Sequence, residues 1–138
     1  MKRTLIVFAL ASGLAACSTA LTPPEVVQLS AEAEGQPVLV TMGLRVAQVG
    51  RDNGVLYINA NEDYRDQRNV SLAVLPQAQN DFIAQHGPVE NLIGRRLRAR
   101  GWARRETIQF VHSRRPTGLY YFQTHLFIHG ADQVELLD

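Results

Sequence analysis

The sequence predicts a mainly β domain: a five-stranded barrel with one helix between strands three and four, behind a secretory signal and a flexible tether. Three observations carry that prediction. Apolar residues alternate with polar or small ones over Val38–Val46, Val70–Val74 and Arg95–Arg104, the period of strands with one buried face. Asp52-Asn53-Gly54 follows the first of these runs, and Asn-Gly accepts the positive φ angles of a two-residue hairpin turn. Only one stretch, Pro76 to about His86, reads as a helix.

The N-terminus decides the compartment. Met1-Lys2-Arg3 is positive, Thr4 to Gly13 is mostly apolar, and small residues precede Cys17. That order is a secretory signal over residues 1–16, and its apolar stretch is too short to span a bilayer. Leu14-Ala15-Ala16-Cys17 resembles the lipobox of bacterial lipoproteins, whose cysteine thiol takes a diacylglycerol before cleavage. The chain holds one cysteine, and a lone exported thiol has no disulfide partner, so lipidation of Cys17 gives it a role. Two or more acyl chains at about 0.8 kcal/mol per buried methylene would hold the protein on a membrane without a spanning helix. The resemblance to Gram-negative lipoproteins, with Ser18 rather than Asp after the cysteine, implies the periplasmic face of the outer membrane.

Without Lys2 and Arg3, twelve arginines face thirteen acids, a net charge of about −1. No lysine follows position 2. About 120 residues suit one domain whose core needs no disulfide. Residues 17–37, with Thr22-Pro23-Pro24 and little periodicity, read as the tether, and 38–138 as the domain.

Strand one is Val38–Val46, with Val38, Val40, Met42, Leu44 and Val46 on one face. Val55–Ala60 returns from the Asn-Gly turn as strand two, and Asn61–Asn69 is a charged loop. Strand three is Val70–Val74. The helix begins at Pro76, points Phe82 and Ile83 inward, and stops at Gly87-Pro88. Val89–Ile93 is a further short turn closed by Gly94. In strand four, Leu97, Ala99, Gly101 and Ala103 face one way, and Arg96, Arg98, Arg100, Trp102 and Arg104 the other. Small inner residues suit a tightly curved barrel. Ile108–Val111, a break at Ser113–Gly118, Leu119–Ile128 and Val134–Leu137 complete the chain. Three strands, a helix and two or more strands are the order of the OB-fold, with an open α+β sheet as the rival arrangement.

Gly54-Val55-Leu56-Tyr57-Ile58-Asn59, Asp63-Tyr64-Arg65 and Gly94-Arg95-Arg96-Leu97-Arg98-Ala99-Arg100-Gly101-Trp102 resemble the staphylococcal-nuclease (thermonuclease-like) OB-fold group. The match covers about residues 43–104, and Phe127–Leu137 resembles that group's closing strand. The resemblance implies the fold but not the nuclease chemistry, because the enzymes' calcium-holding acids and paired arginines have no counterpart set here. About fifteen residues around 106–124 depart from the pattern as an extended loop between the last two barrel strands.

Charge is segregated along the chain. Eight arginines and one acid, Glu106, lie between Arg95 and Arg115, against four arginines and twelve acids elsewhere after position 17. The Arg96, Arg98, Arg100, Trp102, Arg104 face is therefore the candidate ligand surface: guanidinium forks suit phosphate, and an aromatic ring stacks a base or sugar. The plainer alternative is a solvated strand face whose cations discourage aggregation. Glu62-Asp63-Tyr64-Arg65-Asp66 offers carboxylates, yet calcium wants six to eight oxygens, so the loop reads first as a polar connection. His125-x-x-x-His129 would converge on a metal in a helix; in the strand its aromatic neighbours favour, the rings stand about 13 Å apart. His86 and His112 carry no pattern, and neither a G-x-S-x-G elbow nor a glycine-rich phosphate loop occurs.

The sequence thus predicts a non-enzymatic, membrane-anchored binding module without catalytic residues, metal or cofactor. Its ligand is an anionic or polymeric one (nucleic acid, lipopolysaccharide or glycan) or an envelope protein. One alternative is a metal-dependent phosphodiesterase using Asp63, Asp66 and Arg65; another is a structural subunit of an envelope assembly.

Overall fold

The computed structural model describes residues 19–138, so the expected signal and Cys17 lie outside the described residues. The first helix, α1 (Pro23–Glu32), starts at two prolines, which lose nothing in a first turn whose N–H groups have no helical partner. Val26 and Ser30, one turn apart, are fully buried. Just before the helix, Leu21 adds to the sheet: its N–H donates to Thr41 O and its carbonyl accepts from Gly43 N–H, both at 2.9 Å. The expected tether is corrected accordingly. The chain is docked from Leu21 onward, by a stripe too short among Glu and Gln residues to show a helical period.

Seven strands follow where five were expected: β1 (Val38–Arg45), β2 (Gln48–Asp52), β3 (Val55–Asn59), β4 (Val70–Val74), β5 (Arg96–His112), β6 (Arg115–Ile128) and β7 (Val134–Leu136). They form one sheet in the order β1-β5-β6-β4-β3-β2, with β7 beside β5. The ends of that order, β1 and β2, are consecutive in the chain. Between them Val46 N–H donates to Arg95 O, and Ala47 N–H to Asn59 O, so the chain leaves one neighbour for another within two residues. Asn53 (φ 48°) and Gly54 (φ 79°) make the expected two-residue turn between β2 and β3. β4 and β6 run parallel; the other ladders are antiparallel.

A short 3-10 turn (Pro76–Ala78) leads into α2 (Gln79–His86), which buries Phe82 and ends at Gly87 (φ 85°). Among the described residues the ladders do not close into a barrel, and the core gathers Val40, Met42 and Leu44, paired with Gly101, Ala99 and Leu97, in one cluster with Leu56, Ile58, Leu72, Leu126 and Ile128. Strand β5 alternates as expected from Arg96 to Ala103, every inner residue buried and every outer one exposed. At Gly101 the inner face is so close that a Cβ would lie 2.8 Å from Phe127 O.

The extended loop expected at 106–124 is instead a β-hairpin arm. β5 and β6 stay paired out to His112 and Arg115, and Ser113 (φ 49°) and Arg114 (φ 63°) make the turn. Both faces of the arm's outer half are exposed, with Val111, Leu119 and Tyr120 at 61%, 67% and 59%. With neither face buried, no in–out alternation marks the strands in the sequence. Among the described residues, no helix is long and apolar enough to cross a membrane.

Candidate functional site

The outer side chains of β5 occupy the expected face, but not as a free row of cations. Register places Arg98 opposite Glu135 of β7, with an N···O distance of 3.5 Å. Arg96 donates from Nε to Asp138 Oδ2 and from its N–H to Oδ1, both at 2.8 Å, which holds the Asp138 carboxyl below the usual range. Arg104 meets Glu106 at 2.6 Å and covers the Phe127 ring at 5.4 Å. Arg100 donates to Thr41 Oγ1 at 3.3 Å and forms no ion pair with a carboxylate among the described residues. Trp102 is 49% exposed and lies opposite Leu39, itself 47% exposed. The predicted stripe is thus ion-paired at both ends, Arg96–Arg98 and Arg104, and open in the middle at Arg100 and Trp102.

What sequence reasoning missed lies beside that stripe. Following the ladders from β5, Arg104 pairs with His125, His125 with Ser71, Ser71 with Asn59 and Asn59 with Gln48. These five residues form one row across the outer face of five strands. The next row is Phe127, Ala73, Tyr57 and Gly50, in which two small residues leave room beside the Tyr57 ring. Above the rows lies a groove of about 430 Å³, inside the ~300–1,000 Å³ span of ligand sites. Tyr64 of the charged loop and Ile108 and Tyr121 of the arm form its walls.

Its polar groups are held in two short chains. Ser71 Oγ donates to Asn59 Oδ1 at 2.5 Å, and Asn59 Nδ2 to Gln48 Oε1 at 2.9 Å. Asn69 Nδ2 donates to Ser71 Oγ at 3.2 Å, tying the loop to the sheet. Gln123 Nε2 donates to the Tyr121 hydroxyl oxygen at 2.6 Å, and His125 Nε2 lies 2.8 Å from Gln123 Oε1. Burial lowers the His125 pKa, against a smaller opposing pull from Glu106. Burial also raises the Tyr57 phenol, with the Asp52 and Glu106 carboxylates acting the same way. Both groups are therefore uncharged at neutral pH.

Two carboxylates of the acidic loop, those of Asp63 and Asp66, bond within its own turns. Asp63 Oδ1 accepts Arg65 N–H at 2.9 Å. Asp66 accepts both the N–H and the guanidinium of Arg68, which hold its carboxyl at about 2. Arg65 instead stacks at 5.4 Å from the Tyr64 ring and 5.9 Å from that of Phe110. His125 lies in β6, and His129 follows the strand's end. No group of three or more His, Cys, Asp or Glu side chains among the described residues is placed to hold a metal ion.

The chain matches no family model and no curated protein. Its own geometry therefore carries the functional argument.

Proposed function

We propose that this chain is a non-enzymatic, lipid-anchored binding module that lays a polymeric envelope ligand across its outer sheet face. Cys17 would carry the lipid on the periplasmic side of the outer membrane. The fold behind the face is read as an OB-type barrel in which β1 and β2 are two halves of one bent strand. The parallel pairing of β4 with β6 and the helix between β4 and β5 support that reading.

The observation that carries the proposal is the unbroken row from Arg104 through His125, Ser71 and Asn59 to Gln48. It leads from Arg104, the ion-paired end of the arginine stripe beside Trp102, into the groove. Five strands at about 4.8 Å spacing make a track of roughly 20 Å, the length of several sugar or nucleotide units. Arg100 and Trp102 supply charge and stacking at one end, while the groove supplies neutral hydrogen bonds at the other.

Trp102 is the only tryptophan, so its emission reports on the open middle of the stripe. The test titrates oligo-dT and, separately, lipopolysaccharide at low and high salt. Saturable quenching by either that weakens on replacing Arg100 and Arg104 with Ala supports the proposal, and salt sensitivity measures the phosphate share. A flat response to both at low salt removes the stripe from the site.

A second reading, a structural role in an envelope assembly, is favoured by the apolar arm with exposed Val111, Leu119 and Tyr120. It expects co-purification with a protein partner that survives high salt and is lost on replacing Leu119 and Tyr120 with Ser.

A further inference from the structure

Resting on that reading, we propose that the groove over β2, β3, β4 and β6 is a saccharide subsite, taking an uncharged stretch of a glycan chain. The chemistry of its lining selects the class. Gln48 and Gln123 present amides, groups that both donate and accept, as sugar hydroxyl and acetamido groups require, over a buried floor of Asn59 and Ser71. Tyr57, Tyr64 and Tyr121 add three aromatic rings, against which the apolar C–H face of a pyranose packs.

Charge argues against phosphate in this part of the face. The cation lining the groove, Arg51, donates to Gln79 Oε1 at 3.0 Å, with Asp52 as its neighbour on the same lining. Arg65, close by, lies over the Tyr64 ring. His125 is neutral because it is buried. A phosphodiester placed here would meet Arg51 only beside the Asp52 carboxylate, whereas a neutral hydroxylated ring exchanges its water hydrogen bonds for these amides. The Tyr121–Gln123–His125 chain also fixes the donor and acceptor directions before a ligand arrives, which lowers the ordering cost of binding.

The experiment titrates the full chain with chitotetraose, maltotetraose and a dT decamer by calorimetry at 50 and 300 mM salt, two points that bracket ~0.1 M. The subsite predicts binding of at least one tetrasaccharide, unchanged between the two salts. Tyr64→Ala and Tyr121→Ala should each weaken it at least tenfold with little change in thermal midpoint. No heat with either tetrasaccharide overturns the inference. If the decamer then binds with salt sensitivity and is lost on Arg100→Ala, the binding-module reading stands without the saccharide; if nothing binds, both fall.

Discussion

Replacing Val26 with Ala distinguishes a docked α1 from a tether. Val26 is fully buried, so the change removes two methyl groups from a packed site. At ~0.8 kcal/mol per buried carbon the transfer loss is about 1.6 kcal/mol. A residual cavity of some tens of Å³ adds about 1 kcal/mol. Alanine's better helix propensity returns about 0.5 kcal/mol, leaving a net loss of about 2 kcal/mol. With an unfolding entropy near 2.1 cal/mol/K per residue over roughly 120 residues, that lowers the melting midpoint by about 8 °C. Circular dichroism of the purified protein reads it directly. Leu29→Ala on the same helix, where the side chain is 37% exposed, should cost far less. A Val26→Ala midpoint within about 2 °C of the parent would refute the reasoning, because only an undocked segment tolerates that loss.

Three further outcomes follow from the same packing. Ser30 buries its hydroxyl without a hydrogen-bond partner, so Ser30→Ala should raise stability by about 1 kcal/mol, read by denaturant melts; a loss would show a partner for that oxygen. Gly101→Ala should destabilise by about 1–3 kcal/mol, because the new methyl meets Phe127 O; near-parent stability would mean that β6 can move aside. His125 has a folded-state pKa below 6.5, so below pH 6.5 the unfolded chain takes up the proton more readily. Stability from this group is then full above pH 6.5 and falls with acidification until the folded pKa is passed. His125→Gln should flatten that part of the pH–stability curve, and an NMR titration of the ring above 6.5 would contradict the assignment.

Where a face is buried, its period was legible in the sequence. The in–out pattern of Arg96–Ala103 and the Asn53-Gly54 turn depend on local chemistry, and each holds in three dimensions. The arm was not legible, since Ile108–Tyr121 has no deeply buried face to impose a period. Nor was α1, whose docking rests on two residues one turn apart. Its helix is stabilised by packing against the sheet rather than by a pattern of its own.

For the site, the sequence alone determined that strand β5 shows arginines and Trp102 to solvent, because alternation fixes which side chains share a face. Only tertiary structure decided which of those charges are free. Glu135 and Asp138 lie roughly forty positions away, and they reach Arg98 and Arg96 through the β5–β7 register and the chain that follows it. The groove has the same origin. Gln48, Asn59, Ser71 and His125 form no motif along the chain; strand register sets them side by side. Local periodicity orients a side chain, but pairing between distant strands chooses its neighbours, and binding chemistry belongs to the neighbours.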